Sequence, residues 1–375
     1  MVIRPAASLE EVDGAYDMAA RIFGPNYPEA QARLARIRQR EAPEAAGDVL
    51  IATTGKKIVG MTHVLPRPVY LGERPVEAFG LGHVCIHPSC QGQGHGRQLV
   101  LHALELVRKK GGVLAIVVAR RAADGFYWNY GFVGIDSFAE VSVTGESLSS
   151  SPNKRIRCSA GASNNRLSDY AQAYKDTYES LPYAFCRASS WWTHLESRLE
   201  HASPDAMLVN VYDAGRWVGY YVIAKGVVIE AAAIRSRIEL LAEALIRRLE
   251  RTQGLPVRLA LSLGHPCVAY ARRFVHTVSL RFAWNGGHMV RILDRERFLA
   301  CWSSSGKTVR GGKISRGSKN SRSEYDVASH KGARNLLLTA FGIAPSPIAT
   351  EQRNVGGESC GMLGLHPVWS VLDEF

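Results

Sequence analysis

The sequence predicts an α/β chain with mixed sheets, built as two successive units of like element order and closed by a small α+β C-terminal part. Three observations predict it. Short apolar runs of strand length alternate with longer segments of helical period. The order hairpin, strand, long helix, strand, short helix occurs once before residue 147 and loosely again before residue 287. At 375 residues the chain is also too long for one core, which favours two or three domains.

The elements follow in order. Val2–Arg4 before Pro5 reads as a short strand, and Ser8 offers an N-cap for a helix to about Phe23. A second helix is expected over Pro28–Arg40. Val49–Ala52 and Ile58–Leu65 flank a turn at Gly55-Lys56-Lys57 and form a hairpin. A strand over 79–86 ends at His87-Pro88, and a glycine-rich loop over 91–96 leads into a helix, Arg97 to Lys110. Its Val100, Ala103, Leu104 and Val107 share one face, and Gly111-Gly112 stop it. Val113–Val118, a short helix over 123–130 and Phe132–Ile135 complete the first unit. The stretch 147–165, rich in Ser, Asn and basic residues, reads as a linker. In the second unit Met207–Val211 and Trp217–Ile223 form a hairpin, Arg237–Arg251 a helix and Val257–Leu263 a strand. Residues 306–323 read as a basic, glycine-rich loop and Gly332–Phe341 as a helix.

Composition narrows the class. A chain 46% hydrophobic and 21% charged is an ordinary globular one. No apolar run reaches the length of a membrane span, and the N-terminal sequence lacks a basic-then-apolar leader pattern. The seven cysteines, at 85, 90, 158, 186, 267, 301 and 360, form no CxxC pair. Neither a disulfide framework nor a metal site is expected, and a reducing cytoplasm is. The net charge of +12 is uneven: residues 1–150 hold 16 Lys and Arg against 15 Asp and Glu, whereas 307–334 hold 8 against 2. A basic surface can favour nucleic acid, but no recognised nucleic-acid motif accompanies it, and a solvated basic face is the preferred reading.

The chemistry points to residues 84–104. A strand ends at a proline, glycines stand at 92, 94 and 96, and a helix begins. Glycines let several N–H groups converge, and a helix start adds about half a positive charge, so the turn suits a pyrophosphate. The loop lacks the Lys-Ser/Thr pair of an ATP-binding loop. It also lacks the acidic residue that a dinucleotide fingerprint places about 20 positions on.

Val84, Ile86, Pro88, Gln91, Gly94 and Gly96 instead stand at the spacing of the core motif of the GNAT acetyltransferase superfamily, which this region resembles. Ala123, Phe126, Tyr127, Gly131 and Phe132 match a second signature of that family. The resemblance implies an acetyl-CoA-dependent N-acetyltransferase. Backbone at Val84 and Ile86 would hold the pantetheine arm. Gln91, Gly92, Gln93, Gly94, His95, Gly96 and Arg97 would hold the pyrophosphate, and Tyr127 would protonate the departing thiolate. Tyr130 sits at the family's packing position. Many relatives carry Asn seven residues before the tyrosine, where this chain has Arg120. For the general base, His83 has a suitable pKa range, although strand alternation puts it on the face opposite Val84; Glu77 is a further candidate.

The whole chain resembles the enhanced-intracellular-survival type of acetyltransferase. That resemblance divides it into an active GNAT domain (1–147), a degenerate GNAT-like domain without the glycine loop (148–287), and a shortened sterol-carrier-like part (288–375). It implies that the terminal carboxylate of Phe375 serves in the active site. The acceptor is expected to be a small-molecule primary amine, such as an aminoglycoside, polyamine or amino sugar. A protein lysine or N-terminus, a non-catalytic acetyl-CoA sensor, and assembly into a homo-oligomer stay open.

Overall fold

The computed structural model describes residues 1–303 apart from 24–26, 41–45, 72–73, 120–122, 135, 143–154, 182–183, 254–257, 263, 272–276 and 284–286. The expected basic loop, the helix over 332–341, Arg120 and Phe375 lie outside the described residues.

β1 (Val2–Pro5), α1 (Leu9–Phe23) and α2 (Tyr27–Arg40) lead into the hairpin β2 (Val49–Thr54) and β3 (Lys57–Pro66). A small hairpin, β4 (Val69–Leu71) with β5 (Arg74–Val76), precedes β6 (Ala78–Ile86), α3 (His95–Lys109), β7 (Leu114–Ala119), α4 (Asp124–Trp128), β8 (Val133–Gly134) and β9 (Asp136–Ser142). Next come β10 (Ile156–Ala160), α5 (Leu167–Tyr178), α6 (Ser189–Trp192), α7 (Leu195–Ala202), β11 (Met207–Asp213), β12 (Arg216–Ala224) and β13 (Val227–Ala233). The described chain ends with α8 (Ile238–Gln253), β14 (Arg258–Leu261), α9 (Pro266–Ala271), β15 (Thr277–Ala283), β16 (Gly287–Ile292) and α10 (Arg295–Ser303).

Two mixed seven-stranded sheets result, with orders β1-β2-β3-β6-β7-β16-β8 and β10-β11-β12-β13-β14-β9-β15. The orders correspond position by position, and the sixth strand of each comes from the other half of the chain. β9 leaves the first unit to pair with β14 and β15; β16 returns to pair with β7 and β8. Boundaries drawn at 147/148 and 287/288 follow chain order, whereas the sheets exchange one strand across each. Main-chain bonds add to the joint: Tyr70 N–H donates to the Ala184 carbonyl (2.8 Å) and Cys186 N–H to that of Pro68 (2.7 Å).

Local chemistry accounts for the elements that position the site. Ser8 Oγ accepts from the Glu11 N–H (3.2 Å) while the Glu11 carboxylate accepts from the Ala7 N–H (2.7 Å), so reciprocal caps start α1. α1 buries Val12, Ala15, Tyr16 and Ala19 on one face of the first sheet, and α3 buries Leu99, Val100, Ala103, Leu104 and Val107 on the other. Burial of each such Val or Leu is worth roughly 1.5–3 kcal/mol, which fixes both helices to the sheet. α3 begins at His95, two residues before the expected start, because the glycine loop turns directly into it. The expected linker contains β10, an edge strand paired with β11. Ile156 and Cys158 of β10 pack on the second core, and the polar residues between them obscure the alternation in the sequence.

Candidate active site

β6 and β7 run parallel but pair only at Ala78–Gly80 with Leu114–Ile116. Beyond Gly80 the two strands part. The cause lies in β6, whose register with β3 shifts between Met61 and His63, opposite a bulge at His83. His83 has φ 55°, a left-handed backbone, and an extra residue of this kind bends and twists its strand. Among the described residues Val84 has no strand partner on either side, so its amide and carbonyl edge a slot that opens toward the C-terminal end of β6. Val84 and Ile86 pack toward α3; Cys85 lies on the α1 face. The alternation expected for His83 is observed, since its ring meets Tyr16 of α1.

The slot runs into the loop. Pro88–Cys90 form a single tight turn, and Gln91 Nε2 donates to the Ile86 carbonyl at 2.8 Å, tying the loop back to the strand. Gly92 and Gly94 have φ 75° and 78°, and a Cβ built on either would meet nothing within 4 Å. Backbone conformation, not lack of space, calls for glycine at both. Gly94 is the N-cap of α3 and makes no side-chain cap bond, so the first N–H groups of the helix carry no side-chain cap. That is the electrostatic description of an anion site. Gln91, Gln93 and Arg97 are exposed around it, and His95 is half-buried.

α4 closes the other side. Phe126 lies 3.6 Å from where a Cβ on Gly96 would stand. Tyr127 is buried in the same core as Ile86, Leu99 and Met289 of β16, edge-on to Phe126 (5.1 Å) and Phe132 (5.8 Å). Its hydroxyl makes no hydrogen bond within the described residues. Burial raises the phenol above the usual tyrosine range, and Cys85 adds to the rise. A phenol held in its acid form, its O–H still to be donated, is suited to protonating a leaving group. Cys85 itself is pushed up to about 12 by burial, so it is an unreactive thiol. The structure therefore brings Val84, Ile86, Gln91–Arg97 and Tyr127 to one end of the sheet. Glu77 stands just before β6, at the opposite end from the slot. Among the described residues no group of three or more His, Cys, Asp or Glu is placed to hold a metal.

The second sheet repeats the architecture with a different outcome. β13 and β14 likewise pair only at Val227–Val228 with Arg258–Leu259, then part. Here side chains fill the gap. His265 Nε2 donates to the Ala231 carbonyl (2.9 Å), while its Nδ1 accepts from the Cys267 N–H (3.1 Å), which sets the neutral tautomer. The Ala231 N–H donates to Tyr178 Oη (3.4 Å) and the Ala233 N–H to Thr177 Oγ1 (3.0 Å). At the start of α8 the chain reads Ile234-Arg235-Ser236-Arg237, and the Arg235 N–H donates to Asp176. Backbone groups matching those of the first slot are thus bonded within the protein. Nothing in the sequence signals these plugs, which come from α5 and the turn before α9.

Residues 3–134 match the family model described as the acetyltransferase (GNAT) domain. No curated protein matches the sequence. Among solved structures, the chain is similar to a probable N-acyltransferase from Enterococcus faecalis, at 16% identity over 80% of this chain and 75% of that one, with a TM-score of 0.60. Eis1 from Mycobacterium abscessus matches at 18% identity over 80% and 75%, with a TM-score of 0.58. A GCN5-related N-acetyltransferase from Anabaena variabilis matches at 13% over 78% and 72%, also with a TM-score of 0.58. At these identities the likeness is one of fold, and it spans both sheets.

Proposed function

We propose that this chain, whose residues 3–134 match the acetyltransferase (GNAT) domain model, transfers the acetyl group of acetyl-CoA to a primary amine of a small molecule, at one site per chain in the first sheet. The observation that carries the reading is the continuity of three features. The parted strands β6 and β7 lead into a cradle of left-handed glycines at an uncapped helix start, and a buried tyrosine shares the core into which Val84 and Ile86 of the slot pack.

In this reading the edge of β6 at Val84 holds the pantetheine amide groups as a further strand would. The N–H groups of 92–97, with Arg97, hold the pyrophosphate. The amine nitrogen bonds to the thioester carbonyl carbon and the carbon–sulfur bond breaks. Tyr127 gives its proton to the departing sulfur, and the amine loses one to a base. General acid help of this kind is typically worth about 10²–10⁴-fold. His83 serves as that base: it is partly exposed, lies on the face opposite the cradle, and is carried by the strand that edges the slot. The terminal carboxylate of Phe375 is the competing candidate.

The test is acetyl-CoA turnover over a panel of aminoglycosides, polyamines and amino sugars, with thiol release and acetylated product both measured. Stoichiometric product with at least one amine supports the reading. Tight acetyl-CoA binding with no product from any amine, peptide lysines included, would instead make the chain a sensor of the nucleotide.

A further inference from the structure

The face of β6 turned away from the cradle carries a cluster of which the proposed chemistry uses only His83. Tyr16 of α1 is 4% exposed, and its hydroxyl lies 2.8 Å from Nδ1 of His63 on β3, which is 1% exposed. The same phenol ring meets the imidazole of His83 at 5.3 Å between centroids and 63° between planes, and that of His63 at 6.2 Å and 78°. One tyrosine therefore stands between two histidines from neighbouring strands.

Packing alone does not ask for this. Burying a phenol and an imidazole removes both from water, and their mutual hydrogen bond returns little more than that cost. An apolar pair would hold α1 on the sheet as well. His83 adds a second cost, because a non-glycine residue at φ 55° is strained by about 1–2 kcal/mol. The same strand uses glycine at 80 and 82, so a glycine at 83 would have relieved the strain. The fold keeps an imidazole there, at the bulge where the slot opens. Of the two histidines, His83 is partly exposed and His63 is buried.

We infer that Tyr16 and His63 form a positioning pair for His83: the hydroxyl bond to His63 fixes the rotation of the Tyr16 ring, and that ring fixes the imidazole of His83 at the acceptor side of the slot. The inference rests on the proposed acetyl transfer for its catalytic consequence, but not for its geometry. Misplacing a reacting group by about 1 Å can cost up to about 10²-fold. Tyr16→Phe keeps the ring and removes only its anchor, so the expected loss is smaller, roughly tenfold in kcat, with acetyl-CoA affinity unchanged.

The experiment compares Tyr16→Phe, His63→Leu, His63→Gln and His83→Gln in the full chain. Wild-type turnover of an amine is established first. Tyr16→Phe and His63→Leu should each lower kcat about tenfold with a normal thermal melt, and His63→Gln, which keeps a hydrogen-bonding group opposite the phenol, should recover part of the loss. Adding Tyr16→Phe to His83→Gln should lower kcat no further, because the residue being positioned is gone. Independently of turnover, the ring ¹⁵N resonances of His83, assigned through His83→Gln, should shift in Tyr16→Phe at fixed pH. Unmoved His83 resonances with wild-type kcat would overturn the inference, as would a Tyr16→Phe protein that melts lower but turns over normally. If the wild type acetylates no amine, the proposed function fails, and the resonances alone decide the positioning pair.

Discussion

Replacing Gly94 separates the two roles a glycine can have in such a loop. Its φ of 78° and ψ of 3° are left-handed, and a Cβ there would meet nothing within 4 Å. Any L-residue therefore has a conformational cost of about 1–2 kcal/mol but no clash. Asn and Asp are the non-glycine residues that adopt this conformation most readily, and they are nearly isosteric. Gly94→Asn and Gly94→Asp should then melt within a few degrees of each other. They differ in charge at the N-cap of α3, where the pyrophosphate is proposed to lie. Two unit charges about 4 Å apart repel by about 1 kcal/mol in water and about 4 at an effective dielectric near 20. The loop is exposed, so a net difference of roughly 1–3 kcal/mol is expected, or about 5–150-fold weaker binding for Asp than for Asn. Calorimetry of CoA binding at two salt concentrations is the assay, and the gap should narrow at the higher one. Equal affinities for Asn and Asp would mean that no anion sits at this helix start.

Four further outcomes are expected. Tyr127→Phe should lower kcat by one to three decades while CoA affinity stays within about twofold, since only the proton donor is lost; wild-type turnover would make Tyr127 a packing residue. Acetyl-CoA should titrate to one site per chain, because His265, Tyr178 and Thr177 occupy the second slot; two equivalent sites by calorimetry would refute that account. Burial holds His265 down at about 4, against 6.5 for a free imidazole. The unfolded chain thus binds this proton first as pH falls, and stability should decline between pH 6.5 and 4 by roughly 3 kcal/mol from this group; a His265→Gln protein whose denaturant midpoints fall just as steeply over that range would remove the assignment. Removing the last few residues, or adding two glycines after Phe375, should reduce kcat more than it lowers the melting temperature if the terminal carboxylate takes part in the reaction. Normal kinetics in both would leave His83 as the base.

What could be read from the sequence is what is local. The cradle needs two left-handed residues, a helix start and no capping side chain within six positions, so Gly92, Gly94 and the apolar face of α3 mark it without reference to the rest of the chain. Tyr127 is marked by the second signature of the family resemblance, which is confined to residues 123–132. The strand exchange is different in kind. No strand is expected from the sequence at β9, and which sheet β9 and β16 join is set by partners far along the chain, Glu140 with Ala260 and Met289 with Val117. Periodicity locates a strand but carries no information about its neighbour, so boundaries placed in chain order do not coincide with the sheets.

The same limit separates the two sides of the proposed reaction. A pyrophosphate is recognised by backbone N–H groups, and backbone geometry leaves a signature in glycine spacing. Side chains that would face an acceptor are gathered from distant elements: in the proposed arrangement Tyr16, His63 and His83 meet only because α1 packs across β3 and β6. Of the three, only His83 stands out in the sequence; Tyr16 and His63, taken alone, read as ordinary helix and strand residues. The second unit makes the converse point. It keeps the parted strands of the first, so absence of glycines is only half of why its slot offers nothing to a nucleotide. The other half is that His265, Tyr178 and Thr177 already bond the backbone a pantetheine arm would need, and a glycine loop grafted before α8 is therefore expected not to create binding unless these side chains were also removed.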